Sequence, residues 1–318
     1  NRINLIFLHM SFLLIKIKLF HPDKGIILLS RNKNKELFFL TIGGYGATGI
    51  ILEVTLQVYA IKSNILEVEN VSFSSIRESY EILINEKENY DYFHGWCSIS
   101  PSGKQKGIMS LGRISDKGFE SSNKPKLCNI SPFHNSKKIN LFGTCVMSLI
   151  NLIYYMLNKF FYKKTKDLYD FLFPSAKNFF YFSMFGDNGV IEHQVIIPHD
   201  NVSSYVQELE SIIIRNKPRV SLCHMKLFRG KTNYVNFDGD GFCLALHFFN
   251  NNASCTTLKE IDLIDIKYNC IANLIKDSRI STESIIKQYP NYKNFVNSVK
   301  EYDPTLKFSN LILEKIFK

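Results

Sequence analysis

Four glycines fall within seven residues, Gly43, Gly44, Gly46 and Gly49, in the run Thr41-Ile-Gly-Gly-Tyr-Gly-Ala-Thr-Gly-Ile-Ile51. From Gly44 to Gly49 the spacing is G-x-G-x-x-G, the pattern of a turn that presents backbone N–H groups to a pyrophosphate. That chemistry needs a helix directly after the turn. Here Ile50, Leu52, Val54, Leu56 and Val58 alternate with Ile51, Glu53, Thr55 and Gln57. A period of two predicts a half-buried strand, so the dinucleotide reading fails on its context. What remains is a loop whose backbone takes φ > 0 or approaches another group closely, or else a turn without a ligand.

Other reactive residue types are scattered. His193, His199, His224 and His247 lie on or beside predicted strands, and no pair has metal spacing. Asp238-Gly-Asp-Gly241 lacks the remaining ligands of a calcium loop and reads as a hairpin turn. There is no G-x-S-x-G nucleophile motif. The seven cysteines, at 97, 128, 145, 223, 243, 255 and 270, form no C-x-x-C and no zinc spacing. The expectation is no metal, reduced thiols and a cytoplasmic or cytoplasm-facing protein.

At 318 residues, with 45% hydrophobic and 14% aromatic content, the chain can bury a sizeable core in two domains. The formal charge of +10 has three readings. Nucleic acid would call for a basic module, and none is present. An anionic lipid or lipid-phosphate substrate would suit the charge, as would the Lys, Asn, Ile, Phe and Tyr bias of an AT-rich coding sequence. Leu5 to Phe20 is too short and too charged to span a membrane. Leu141 to Leu157, running into Lys159, Lys163, Lys164 and Lys166, reads as a packed amphipathic helix or an interfacial helix with a basic edge.

Periodicity places these residues on two similar units. The first is a strand over 65–73, a helix capped by Ser74, and strands at 91–99 and 107–114. A polar segment, 115–140, and a helix at 145–163 follow. The second unit is a strand over 189–197, a helix over 201–215 capped by Asp200, and strands at 219–228 and 241–249. Thr257-Leu-Lys-Glu260 reads as a capping box that opens the next helix. Cys270 to Ile275 reads as a returning strand. Two β-α-β-β units imply an α+β layer, an antiparallel sheet with helices on one face.

The run Phe38 to Val58 resembles the flavin-contacting loop of the FAD-linked oxidases of the vanillyl-alcohol-oxidase type. Further matches follow in order. Tyr92-Phe-His-Gly-Trp-Cys-Ser-Ile-Ser100 with Ser110-Leu-Gly-Arg113 is similar to that family's tryptophan-bearing hairpin. Gly186 to Pro198, Lys226-Leu-Phe228 and Gly241 to Phe248 are similar to its cap strands. Ile275-Lys-Asp-Ser-Arg279, Tyr289-Pro290 and Asp303-Pro304 are similar to its ending. The ordered similarity covers roughly residues 14 to 318.

This resemblance implies a discontinuous architecture. Residues 1–62 would be part of an FAD-binding domain, 63–270 the substrate-binding cap, and 271–318 the return to the FAD-binding domain. It implies FAD as cofactor, non-covalent through the part present, with covalent attachment elsewhere left open. Gly43, Gly44, Gly46, Gly49, Ile50, Ile51 and Asn273 would contact the cofactor. Lys276 would be the catalytic cation beside flavin and substrate, or else an ordinary surface lysine. Trp96, Glu192, Gln194, Lys226 and Ala245 would line the substrate site. Glu192 stands where a glutamine is expected, and a carboxylate accepts hydrogen bonds but does not donate them. Ala245 stands at a pocket-cysteine position. The reaction would be oxidation of a sugar or polyol hydroxyl to a ketone, with a polyprenyl-phosphate-linked pentose as the finer expectation. A short-chain reductase acting on the keto product would be a partner, nucleic acid would not, and the location would be cytoplasmic or peripheral at the inner membrane. The family's arginine- and glycine-rich pyrophosphate loop has no counterpart in this sequence. The chain therefore reads as a truncated or frame-disrupted version of a longer oxidase. The alternative is a non-catalytic remnant that folds as a cap without flavin.

Overall fold

The computed structural model describes residues 13–118, 139–141, 145–173, 180–231, 233–277 and 279–318. Most of the polar segment at 115–140 lies outside the described residues. Strands β1 (Leu14–His21), β2 (Gly25–Ser30) and β3 (Ile50–Leu56) form a small antiparallel sheet in the order β2-β1-β3. Helix α1 (Lys35–Thr41) packs on it, and Ile17, Leu19, Leu29 and Phe38 make a compact buried cluster. The strand predicted after the glycine loop is β3, but it is not half-buried. All seven of its residues are exposed. It is an edge strand, and among the described residues no element covers either of its faces.

The second sheet has eight strands, all antiparallel to their neighbours, in the order β11 (Ile271–Ala272), β8 (Val190–Pro198), β10 (Gly241–Phe249), β9 (Val220–Phe228), β5 (Tyr92–Ile99), β6 (Gln105–Ile114), β4 (Ile65–Phe73) and β7 (Lys163–Asp167). The first β-α-β-β unit is β4 (Ile65–Phe73), α2 (Ile76–Glu86), β5 (Tyr92–Ile99) and β6 (Gln105–Ile114). After α3 (Cys145–Phe160), β7 (Lys163–Asp167), α4 (Leu168–Leu172) and α5 (Phe180–Ser183) comes the second unit. It comprises β8 (Val190–Pro198), α6 (Val202–Asn216), β9 (Val220–Phe228) and β10 (Gly241–Phe249). The units join edge to edge where Gly95, Trp96 and Cys97 pair with Met225, His224 and Cys223. Helices α2, α6 and α7 (Asn252–Lys267) bury one face of this sheet in a single large core. On the opposite face α3 lies against β4 and β6. Its Tyr154 packs on Trp96 with ring centroids 4.6 Å apart.

Several local readings are corrected. The cap of α2 is Ser75, whose hydroxyl accepts from the Glu78 N–H at 3.0 Å, while Ser74 bonds the Glu78 carboxylate. A short 3₁₀ turn, His199–Asn201, leads into α6, so Asp200 is not its cap. Helix α7 opens at Asn252 on an Asn251 cap, and the capping-box Thr257 lies inside it, donating to the Ala253 carbonyl at 2.8 Å. The basic run after α3 is the edge strand β7, paired with β4, not a helix end. The returning strand shrinks to β11 (Ile271–Ala272) because the Asn273 carbonyl and side chain gather the N–H groups of Ile275, Lys276 and Asp277 into a turn. The chain then runs through α8 (Thr282–Gln288), α9 (Tyr292–Tyr302) and α10 (Leu311–Ile316). Their buried Ile285, Tyr289, Phe295, Val299 and Leu313 join the same core as Leu40 and Ala47 beside the glycine loop.

Candidate active site on the open face of the sheet

Strand alternation decides which side chains reach the face away from α2, α6 and α7. Phe93 and Cys97, Cys223 and Met225, Leu244 and Leu246, and Val195 and Ile197 belong to the helix-side core. Their neighbours therefore point the other way. These are His94 and Trp96 on β5, His224 and Lys226 on β9, Cys243, Ala245 and His247 on β10, and Glu192 and Gln194 on β8. A cleft of about 580 Å³ opens there, floored by His94, Glu192, Gln194, His224, Lys226, Cys243 and Ala245. Leu13, just before β1, and Phe171 and Leu172 of α4 wall it, so the approach to the small sheet reaches its rim.

Two pairs bind the 273–277 turn to the cleft floor. The Lys276 ammonium donates to Glu192 Oε2 at 3.1 Å, and the Asn273 amide donates to Gln194 Oε1 at 2.7 Å. The other end of the Gln194 amide donates to Cys243 Sγ at 3.5 Å. His247 Nε2 lies 3.7 Å from the same Glu192 oxygen, and its Nδ1 lies 2.8 Å from the Tyr181 hydroxyl. Burial alone would raise the Glu192 pKa, but His247 and Lys276 overcome it and hold it at about 2. Glu192 is thus a carboxylate at every physiological pH.

Three imidazoles run across the strands, with His94 and His247 each 5.5 Å from His224 between ring centroids. Burial, with Lys166 and Lys226 adding to it, pushes the His94 pKa down to about 4. Burial, and then His94 and His247, pushes His224 down to about 3. Both are neutral at pH 7, so each ring offers one donor and one acceptor to a hydroxylated ligand. Burial raises the Cys243 pKa to about 12, which leaves a thiol rather than a thiolate.

Behind the floor lies a buried ionic cluster. His193 Nδ1 is 3.0 Å from Asp277 Oδ2, and its Nε2 is 3.1 Å from Asp265 Oδ2. Arg279 bonds Asp277 at 2.6 Å and both oxygens of Asp262 at 3.0 Å. Burial would lower the His193 pKa, but Asp265 and Asp277 outweigh it and raise it to about 10. Ligand atoms of His193, Asp262 and Asp265 lie within 4.8 Å of one another, the spacing of a metal site. Arg279 pairs with Asp262 and Asp277, and His193 with Asp265 and Asp277, an ion-pair network that clamps the turn carrying Asn273 and Lys276.

The glycine loop divides by position. A Cβ on Gly43 (φ +70°) would lie 2.3 Å from Asn236 Cβ, one on Gly44 2.1 Å from the Leu40 carbonyl oxygen, and one on Gly49 (φ +144°) 2.5 Å from the Phe20 carbonyl oxygen. These three serve the protein's own close packing. Gly46 (φ +82°) faces open space, and Ile50 and Ile51 beyond it are about half exposed. An open glycine turn followed by an uncovered strand leaves backbone accessible to a ligand there.

The cleft therefore gathers Glu192, Gln194, Lys226 and Ala245, with Asn273 and Lys276 bonded to its floor. Trp96 stands on the same face but lines a second cleft, of about 450 Å³, between α3 and the β5–β6 turn. Sequence reasoning missed His94, His224 and Cys243 as floor residues and His247 as the partner of Glu192. The signal was there for His224, Cys243 and His247, which share strand parity with Lys226 and Ala245. It was absent for Tyr181 and for the His193 clamp, which depend on distant segments.

No family model matches the chain. It is similar to the decaprenylphosphoryl-beta-D-ribose oxidase of Mycolicibacterium smegmatis, 20% identical over 287 residues that cover 85% of this chain and 61% of that protein. It is also similar to the mitochondrial L-galactono-1,4-lactone dehydrogenase of Arabidopsis thaliana, 37% identical over 81 residues, covering 25% of this chain and 13% of that protein. Cytokinin dehydrogenase 9 of Oryza sativa subsp. japonica is 25% identical over 144 residues, covering 43% of this chain and 28% of that protein. The chain spans less than two thirds of the length of each of these relatives.

Proposed function

We propose a function from the premise that this chain is a relative of the FAD-linked oxidases of the vanillyl-alcohol-oxidase type, the family to which those three proteins belong. It takes part in FAD-dependent oxidation of a sugar or polyol hydroxyl to a ketone, with the substrate seated in the cleft on the open face of the large sheet. The carrying observation is that the Lys276–Glu192 and Asn273–Gln194 pairs bring the 273–277 turn onto the floor that also holds Lys226.

FAD, when bound, would supply the hydride acceptor at its N5, and the hydroxyl proton would leave to solvent in the cleft through the neutral rings of His94 and His224. The residues of this chain divide the remaining work. Lys276 supplies positive charge beside the reacting centre, and Glu192 holds that ammonium in place while accepting a hydrogen bond from a substrate hydroxyl. Neutral His94 and His224 bond further hydroxyls. Lys226, exposed on the same floor, suits a phosphate, which makes a pentose carried on a polyprenyl phosphate the finer reading. The glycine turn at Gly46 and the exposed start of β3 would meet the nucleotide. Hydroxyl-rich substrates are preferred because the floor is polar, with Lys226 and the paired Glu192 as its charged residues.

The test is anaerobic mixing of the FAD-loaded protein with an aldonolactone, a pentose phosphate and a polyprenyl-phosphate pentose, followed by flavin absorbance. At least one should bleach the flavin, and Lys276→Ala should slow that step by about a hundredfold, as for other preorganised charged groups. Flavin that no sugar or polyol reduces would sink the reading. A protein that takes up no FAD would favour the flavin-free cap instead.

A further inference from the structure

Helix α3 is packed inside out. Its asparagines face the protein: the Asn151 amide donates to Ser98 Oγ at 3.1 Å, and Asn158 accepts from the buried Asn70 amide through its backbone carbonyl at 3.1 Å. Lys164 reaches back to the Asn158 side chain at 2.7 Å. Met147 and Tyr155 complete this inward stripe at helical spacing, and Met147 is buried, the one such aliphatic side chain among the described residues of the helix. The outward stripe is apolar. Leu149, Ile150, Leu152, Ile153, Met156, Leu157 and Phe160 are each 40% or more exposed, and Phe161 and Tyr162 continue the patch. A helix on a water-facing surface has the opposite arrangement. A patch this continuous marks an interaction site rather than scattered surface residues.

Charge selects the partner. From residue 145 to 166 the sequence has four lysines, Lys159, Lys163, Lys164 and Lys166, and no acidic residue. Lys159 and Lys163 are exposed at the aromatic end of the helix, each over a tyrosine ring within 6 Å. Aliphatic side chains on one face, aromatic residues at one end and a lysine fringe form the pattern of a helix lying in a membrane interface with anionic headgroups. At 16 residues α3 is too short to cross a bilayer, and no described helix is long and apolar enough to do so.

We infer that α3 docks this protein onto an anionic lipid surface, with the helix in the plane of the interface. The second cleft, which runs under the same helix and is lined by Trp96, Leu152 and Tyr155, then opens beside the bilayer. The inference stands independently of the flavin chemistry.

Flotation with vesicles tests it. The full chain should rise with vesicles of phosphatidylcholine containing about 30% phosphatidylglycerol and bind pure phosphatidylcholine far less, and high salt should weaken the former. Ile153→Gln with Leu157→Gln should reduce binding at least tenfold with unchanged circular dichroism. Lys159→Gln with Lys163→Gln should remove the preference for the anionic lipid, and Met156→Leu should bind as wild type. Equal binding by the Ile153/Leu157 variant, or no binding by wild type, overturns the inference. So does a wild-type dimer in solution that this variant makes monomeric, because a second copy of the chain would then own the face.

Discussion

His193→Gln isolates the clamp behind the cleft. The His193 ring is 1% exposed and sits between Asp265 on α7 and Asp277 on the turn. Arg279 and Asp262 lie one contact further out, and the Tyr205 hydroxyl of α6 donates to Asp265 at 2.8 Å. A pKa raised from 6.5 to about 10 means that folding favours the imidazolium. At roughly 1.36 kcal/mol per pH unit this corresponds to at most about 5 kcal/mol. The stabilisation is complete below pH 6.5 and fades as pH rises from there toward 10, because the unfolded imidazole is then neutral and must take up a proton to fold, at a cost that grows with pH. Glutamine cannot carry the charge and leaves two buried carboxylates short of a cation, a loss of about 3–5 kcal/mol. Thermal melts at about 2–4 °C per kcal/mol should place the variant roughly 10 °C below wild type at pH 6. The gap should narrow steadily toward pH 10. A gap that is the same at both ends, or smaller than about 1 kcal/mol throughout, would refute the charged clamp and leave His193 as a space-filling residue.

The glycine loop should show a graded response. Gly49→Val drives a Cβ to 2.5 Å from the Phe20 carbonyl in a backbone conformation that valine avoids, and should cost about 3 kcal/mol or more in denaturant unfolding. Gly46→Ala meets nothing and bears only the positive-φ strain of about 1–2 kcal/mol, so equal losses at the two positions would contradict the assignment. Glu192→Gln should loosen the Lys276 ammonium, remove a charged acceptor for a substrate hydroxyl and weaken binding of a pentose phosphate severalfold by calorimetry. Tighter binding would mean that the carboxylate only repels the phosphate and does not support the ligand. Because Glu192 is held at a pKa of about 2, its stabilising pairs should persist at pH 5 and be lost only as pH falls below about 4, visible as loss of the wild-type advantage over the glutamine variant.

The sequence by itself determined the two β-α-β-β units, because period-two and helical spacing are local properties that packing then exploits. It also separated the glycine loop from a dinucleotide turn, since the residues after Gly49 cannot be read as a helix. The family likeness placed Glu192, Gln194, Lys226 and Lys276 near one site without saying how they meet. Tertiary structure decided three further things. It joined β5 to β9, which set His94 beside His224 and made one floor from both units. It left β3 bare, whereas its alternation had promised one buried face. It turned α3 so that its asparagines, not its leucines, face the protein. Each of these depends on which surface an element meets, and alternation records only that two faces differ. Which face is covered, and which buried histidine is charged, follows from neighbours far away in the chain: Asp265 and Asp277 lie 72 and 84 positions beyond His193, and no local pattern encodes their approach.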